Sequence, residues 1–416
     1  MKIAFLTLGC KLNYAETSTY ERGFVEAGFE VVPWSGKADI YLVNTCSVTA
    51  MADAKSRNLV RKVHRVNPDA RIVVTGCSAQ LRREELAGIE GVSRVFGCYE
   101  KQLVVPETLN QSGPESSSPA SGSHPGIFGA YSSGERTRSF LKVQDGCDNF
   151  CKYCTVPYAR GGSRNLPICE CVRMAREIAA QGIKEIVLTG VNTGDFGRTT
   201  GESFLDLLKA LDGVEGIERY RISSIEPNLL TEEIIDWIAS GSKFQPHFHI
   251  PLQTGSDILL ERMGRRYNTD FFYRKIEYIR KAMEGPGKPK VFFGIDVMTG
   301  LPGETDELFG TTKAFIEKVR PAFIHVFPYS RRPGTPAALM PGQVAEEVKK
   351  ARVGELEQLC ARLSAEFREA NKGVREKALF ESTDRHGTME GYTGNYIRVE
   401  RPYDPALVNT LVDVIL

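Results

Sequence analysis

Cys147, Cys151 and Cys154 stand at C-x3-C-x2-C spacing in "DGCDNFCKYCTVPYARGGSR", residues 145–164. A closed zinc or iron site takes four protein ligands, usually as short-spaced pairs. Three thiolates on one loop, with no fourth at matching spacing, fit a 4Fe-4S cluster that leaves one iron free of the protein. Such an iron can chelate the amino and carboxylate groups of S-adenosylmethionine and pass an electron to its sulfonium, giving methionine and a 5'-deoxyadenosyl radical. The cofactor supplies that chemistry, and the protein orients and shields it. The competing reading is a zinc ribbon that recruits Cys169 or Cys171 as fourth ligand. Against it stands the x3-x2 spacing, which is not the paired C-x2-C of ribbons.

A second set of three cysteines is scattered along the first hundred residues, and its members meet only if the fold brings them together. "KIAFLTL", "DIYLVNT" and "RIVVTG" read as buried strands, and residues 14–27, 49–66 and 81–88 as helices. That alternation predicts an α/β domain with a parallel sheet over residues 1–110. Cys10, Cys46 and Cys77 each follow one of the strands. Loops leaving the carboxyl ends of parallel strands share one edge, where ligands bind. Three cysteines there predict a second cluster; the alternative is three buried core thiols.

Residues 111–134 are rich in Ser, Gly and Pro and read as a mobile linker. From 135 to 345, strand-like runs alternate with helices in six or so βα units, the pattern of a full or partial parallel barrel. Barrel chemistry sits on the loops after the strands, where Gly190, Asn192, Ser224, Glu226, Gln253 and Gly300 fall as candidates for cofactor binding. Residues 346–374 read as a charged connecting helix. The tail, 375–416, has short alternating strands and a "TGN" turn signal, which suits a small β-barrel.

The 416 residues are long for a single core. Hydrophobic residues make up 42% and charged residues 25%, an ordinary globular balance. No apolar run reaches membrane-spanning length and no leader-like core opens the chain, so a cytosolic protein without membrane partners is expected. Ten cysteines in that compartment point to metal or catalysis rather than disulfides. A net charge of +1 does not by itself announce a nucleic-acid binder. "KSRNLVRKVHR", residues 55–65, nonetheless places Lys55, Arg57, Arg61, Lys62 and Arg65 in one helical stretch, either a phosphate-binding face or a solvated surface.

"TLGCKLNYAET", "VNTCSVT", "TGCSAQ", "GCDNFCKYCTVPYARG", "HIPLQTGSD", "GLPGET" and "FPYSRRPGTPA" occur in this order. On these segments the chain resembles the radical S-adenosylmethionine methylthiotransferases over nearly its whole length. The resemblance implies an amino-terminal methylthiotransferase domain, a radical barrel and a carboxyl-terminal TRAM domain. It also implies a radical cluster on Cys147, Cys151 and Cys154, and an auxiliary 4Fe-4S cluster carrying the transferred sulfur on Cys10, Cys46 and Cys77. One S-adenosylmethionine would methylate that sulfur and a second would generate the radical that removes hydrogen from an unreactive carbon. A C–H bond of that kind has no acidity for a general base to exploit. "TLGCKLN", "RISSIEP", "HVFPYSRRPGTPA" and "GYTGNYIRV" look most like the branch acting on threonylcarbamoyladenosine beside the tRNA anticodon. Two other branches modify isopentenyl-type adenosine or a ribosomal-protein aspartate. A reductant such as flavodoxin or ferredoxin and a sulfur source are implied as partners.

For the tRNA anticodon stem-loop, Tyr392, Asn395 and Tyr396 are candidates to stack or read loop bases, against a buried tyrosine pair. Arg331 and Arg332 near the barrel mouth are candidates for phosphate contact, against solvated arginines. Tyr153, between two ligands, reads as an adenine contact or as a shield for the cluster. Glu226 reads as a contact to the cofactor's ribose or amine, or as the partner of a barrel arginine. Arg160 and Arg164 fit the pattern, Cys98 and Cys360 read as structural, and Cys169 and Cys171 have no assigned role. A different class of function shares most of these features: an iron-sulfur protein that binds RNA and senses oxygen or iron without catalysis.

Overall fold

The computed structural model describes residues 1–110, 126–134 and 137–416. Its first sheet contains β1 (Lys2–Thr7), β2 (Glu30–Val31), β3 (Ile40–Thr45), β4 (Arg71–Gly76) and β5 (Val92–Phe96). The strands are all parallel, in the order β2-β1-β3-β4-β5. β3, IYLVNT, is buried along its whole length because helices cover both faces, as parallel sheets require. Those helices are α1 (Lys11–Glu26), α2 (Ala50–Val66), α3 (Cys77–Leu81), α4 (Arg83–Ala87) and α5 (Val104–Leu109). Thr49 caps α2, its hydroxyl accepting from the Ala52 N–H. Residues 81–88, expected as one helix, are divided between α3 and α4 because Arg82 leaves helical geometry at φ −138°, ψ 41°. The strand order reverses between β1 and β3, and a crevice opens at such a switch point beyond the carboxyl ends of the strands.

The second sheet system starts with β6 (Ala130–Tyr131), antiparallel to β7 (Arg138–Lys142). A short ribbon, β8 (Gln144–Asp145) with β9 (Arg164–Asn165), brackets the three-cysteine loop and α6 (Val156–Arg160). β10 (Glu185–Thr189), β11 (Arg219–Ile222), β12 (His247–His249), β13 (Phe292–Thr299) and β14 (Phe323–Pro328) follow in parallel. Bridges Tyr220↔Phe244 and Ser224↔His249 join β11 to the β12 segment. The result is an open barrel of six parallel strands, β7 and β10 to β14, with no ladder between β7 and β14. Outside it lie α7 (Ile168–Ala180), α8 (Phe204–Asp212), α9 (Glu232–Ala239), α10 (Asp257–Arg262), α11 (Thr269–Met283), α12 (Asp306–Val319) and α13 (Glu346–Glu369). α13, read from sequence as a charged connector, buries Leu356, Leu359, Cys360 and Leu363 in the barrel's own core.

The amino-terminal domain leans on the barrel through α1, which packs on β6 and β7. Residues 111–125 of the expected linker lie outside the described residues. Residues 126–134 do not behave as a loose linker: Phe128 stacks on Tyr20 at 5.3 Å, and the Ser133 N–H donates to Ser18. The reason is composition, since this stretch ends in Ile127, Phe128, Ala130 and Tyr131, which have apolar surface to bury. The tail forms an antiparallel sheet in the order β17-β16-β15-β18, from β15 (Arg375–Phe380), β16 (Thr388–Thr393), β17 (Arg398–Pro402) and β18 (Leu411–Ile415). It curls over a small core of Ala378, Phe380 and Met389.

Candidate metal and substrate site

Cys10, Cys46 and Cys77 come together as the strand pattern predicts. Cys10 precedes α1, Cys46 follows β3, and Cys77 opens α3 directly after β4. Gly9 lies so close to Cys46 that a Cβ on it would come within 2.9 Å of the Cys46 sulfur. Gly76, at φ +102°, presses on the Thr45 carbonyl with no room for a side chain. All six candidate cysteines are free of disulfides. Burial pushes the Cys46 thiol up to about 11, with Cys77 and Cys10 adding to the effect. Cys77 goes the other way, to about 6: the neighbouring Cys98 thiol donates to it, burial opposes, and Arg160 and Lys101 add positive potential. Arg160 Nε stands 3.2 Å from the Cys77 sulfur, and its Nη2 donates to Asn13 at 2.6 Å. Cys98, read as structural, is buried in contact with this site.

Cys147, Cys151 and Cys154 occupy the loop between β8 and α6. The loop is closed by the Cys147 N–H to Gly161 and by the Cys154 N–H to Cys151. Gly146, at φ +74°, lets the chain pass against the Gly161 and Gly162 carbonyls, where a Cβ would collide. Burial raises the Cys147 thiol to about 11 and the Cys154 thiol to about 12. Thiols held protonated in this way must release protons when a metal group takes the thiolate. Donors already point at the sulfurs: the Val156 N–H at 3.4 Å from Cys154 and Arg265 Nη1 at 3.1 Å from Cys151. Hydrogen bonds to cysteine sulfur orient iron-sulfur ligands and tune their potential, so both donor sets suit such a group. The two sets adjoin, since the Thr155 hydroxyl donates to the Ser47 carbonyl at 3.3 Å.

Beneath both lies a charge network that sequence reasoning missed. Glu16 of α1 receives Lys101 Nζ at 2.6 Å, Lys142 Nζ at 2.7 Å and Arg160 Nη1 at 3.4 Å. Asp145 receives Lys142 at 2.7 Å and Arg160 at 2.9 Å. All five side chains are at most 2% exposed. The signal was present in Lys142, a lysine inside the apolar strand "FLKV", since a buried lysine requires a partner.

Several expected roles are changed by the contacts. Glu226 is not open toward a cofactor: Arg265 Nη2 grips both its oxygens, at 2.5 and 2.6 Å, so the arginine-partner reading holds. Arg265 also reaches the Tyr153 hydroxyl at 3.2 Å, and the Tyr153 ring packs against a satellite core containing Leu259 and Met263. Asn192 is buried and internal, donating to Asp195 and accepting from the Glu226 N–H. Gly190 backs onto Gln144, Ser224 accepts from Thr193 through its carbonyl, and Gln253 forms a left-handed kink at φ +68° beside β13. Gly300, at φ +72°, packs so closely on the Lys349 side chain of α13 that a Cβ would strike it.

The arginine and tail candidates change more. Arg332 is 3% exposed and pairs with Asp53 and Ser47 of the amino-terminal domain, so it cannot meet phosphate. Arg331 is exposed, with its Nε donating to the Ala338 carbonyl. Asn395 is fully buried, donating to Lys290 and Asn371, and is no base reader. Tyr396 is enclosed by His247, Phe292 and Tyr392, with Arg221 4.7 Å from its ring centroid. The "TGN" turn is therefore a plug: Arg221 donates to the Thr393 and Gly394 carbonyls and fixes the tail to the barrel. Tyr392 and Tyr396 are both half-buried and both line a cavity, whereas Asn395 does not. Cys169 is exposed, Cys171 lies in the main core, and Cys360 takes the Ile324 N–H at 3.2 Å. On α2, Lys55, Arg61, Lys62 and Arg65 are exposed, while Arg57 pairs with Glu85. No helix among the described residues is long and apolar enough to cross a membrane.

Residues 141–316 match the Radical SAM superfamily and residues 2–98 match Uncharacterized protein family UPF0004. The fold is shared with a radical S-adenosylmethionine methyltransferase, TsrM from Kitasatospora setae. Its TM-score is 0.59 at 15% identity, covering 81% of this chain and 77% of that one. Fold and site thus define a radical S-adenosylmethionine protein. Curated relatives narrow the class. The threonylcarbamoyladenosine tRNA methylthiotransferase MtaB of Bacillus subtilis is 39% identical over 95% of this chain and 89% of its own. The protein of the same name from Aquifex aeolicus is 35% identical over 96% and 97%. A tRNA-2-methylthio-N(6)-dimethylallyladenosine synthase of Wolbachia pipientis is 31% identical over 95% and 90%. The chain belongs to this family of radical S-adenosylmethionine tRNA methylthiotransferases.

Proposed function

We propose that the protein transfers a methylthio group to carbon 2 of threonylcarbamoyladenosine beside the anticodon of cytoplasmic tRNA. The observation that carries this reading is the adjacency of two three-cysteine sites, joined through Thr155 and Ser47, in a chain aligned end to end with relatives of that activity. Cys147, Cys151 and Cys154 hold one 4Fe-4S cluster and Cys10, Cys46 and Cys77 the other. When bound, the first supplies reductive cleavage of S-adenosylmethionine and the second supplies the sulfur.

The chain's own residues do the positioning. Arg265 ties the Cys151 sulfur to Glu226 and Tyr153, so one guanidinium orients the radical loop. Arg160 does the same across domains, from Asp145 to Asn13 and the Cys77 sulfur. Gly190 and Ser224, beyond β10 and β11, stand at the strand ends where parallel barrels bind ligands and flank the S-adenosylmethionine site. Lys55, Arg61 and Arg65 of α2 offer the tRNA backbone a basic face. A flavodoxin or ferredoxin delivers the electron, and a separate donor restores the sulfur.

The test is nucleoside mass spectrometry on threonylcarbamoyladenosine tRNA incubated anaerobically with reconstituted protein, dithionite and S-adenosylmethionine. Cys147→Ala is expected to abolish 5'-deoxyadenosine while retaining iron on the other site. Cys46→Ala is expected to keep cofactor cleavage and lose the methylthio product. A wild-type protein that binds iron and RNA but never cleaves S-adenosylmethionine would instead establish the non-catalytic sensor.

A further inference from the structure

The barrel's open side, the start of α1, α13 and the tail sheet enclose a cavity of about 1030 Å³. This is at the upper end of ordinary ligand pockets, about 300–1,000 Å³. Phe140, Phe292 and Tyr392 give it aromatic walls, and His249 and His325 stack within it at 5.0 Å and 14°. Lys11 also lines it. Because Lys11 follows Cys10 directly, the turn that presents Cys10 also presents this ammonium to the cavity.

The cavity's other barrel cations are occupied. Arg138 is held by Glu381 and the Tyr396 hydroxyl, and Arg221 by Glu185 and the tail carbonyls. Asp296, deeper on β13, has His249 Nε2 2.9 Å from its Oδ1. Lys11 makes no ion pair within 4 Å among the described residues; its nearest aromatic neighbour is the Phe140 ring, 5.9 Å from the ammonium to the centroid. Arg368 of α13 also lines the cavity without an ion pair among the described residues, but Lys11 is the unpaired cation beside Cys10. A walled cavity with such unpaired cations suits an anion, because filling it with an apolar group would strip water from the charge and return nothing.

Resting on the function proposed above, we propose that Lys11 binds the free carboxylate of the substrate's threonyl group and so selects this acidic N6 substituent over an apolar one. Threonine is joined to the carbamoyl through its α-amine, which leaves the carboxylate at the outer end. A dimethylallyl group has no polar atom to offer there. Sites built to pair a polar substrate group reject analogues lacking it far more strongly than apolar pockets discriminate by size. The pair is a charge-assisted hydrogen bond, so its loss is expected to cost roughly 10- to 150-fold in kcat/KM.

The experiment uses reconstituted holoprotein, wild type and Lys11→Met, on three anticodon stem-loops bearing the threonylcarbamoyl group, its methyl ester, or dimethylallyl. Methylthio product, 5'-deoxyadenosine and iron content are read for each. Wild type is expected to lose roughly 10- to 150-fold on the ester, while Lys11→Met loses as much on the acid and treats acid and ester alike. A Lys11→Met protein that still prefers the acid by the wild-type factor overturns the assignment. Should that variant lose iron through its neighbour Cys10, Lys11→Arg decides: it must keep the acid preference, and equal rates on acid and ester refute the proposal. Wild type that modifies only the dimethylallyl stem-loop overturns the functional reading itself, a result distinct from either.

Discussion

Glu16 is the carboxylate on which the two domains are joined, and replacing it by glutamine tests that role. The side chain is fully buried. Burial alone would raise its carboxyl, but Lys101, Lys142 and Arg160 more than reverse this and bring it from 4.5 to about 2. At about 1.4 kcal/mol per pH unit, that stabilises the charged form by about 3 kcal/mol. The figure agrees with the roughly 3–5 kcal/mol typical of breaking a buried ion pair from one side. A carboxyl lowered on folding stabilises fully above its unfolded value and ceases to do so as pH falls through its folded value. Glu16→Gln is therefore expected to lower stability by about 3 kcal/mol at pH 7, with the gap from wild type closing between about pH 5 and pH 2. The assay is denaturant unfolding of cluster-free protein across that range, with Lys101→Met and the double variant completing a cycle. The double variant should cost at least about 1 kcal/mol less than the sum of the singles. A gap under about 1 kcal/mol at pH 7, or one unchanged down to pH 3, would refute the reasoning.

Two further substitutions probe the same interface. Gly76→Ala places a Cβ against the Thr45 carbonyl at φ +102°, a region nearly closed to other residues, at a cost of about 1–3 kcal/mol or more. Because Cys77 is the next residue, bound iron should fall by roughly half while 5'-deoxyadenosine formation survives; full iron loading in this variant would contradict the placement of the second cluster. Arg332→Met leaves buried Asp53 with Arg82, at 3.3 Å, as its remaining ion-pair partner among the described residues, and should lower the unfolding midpoint by the equivalent of about 2–4 kcal/mol. If Arg332 served tRNA phosphate instead, stability would be unchanged and the salt dependence of tRNA binding would fall.

The sequence by itself determined which atoms are available for chemistry and roughly where along the fold they lie. Cysteine spacing is local, and strand and helix periodicities are local, so both three-cysteine sites and the α/β, barrel and β-sheet order were legible. The strand "IYLVNT" announces burial, and a loop after such a strand in a parallel sheet can lead only to the binding edge. Pairing is another matter. Glu226 read as either a cofactor contact or an arginine's partner until Arg265, 39 residues away, closed on it, and Arg332 read as either a phosphate contact or a solvated arginine until Asp53, 279 residues away, took it. Asn395 and Tyr396 carried the composition of an RNA reader and proved to be the plug between tail and barrel. A charged or polar side chain becomes an interior partner or an exposed contact according to what the packed domains set against it. Only the tertiary structure decides that, because the energy of a buried charge depends on neighbours that no local pattern records.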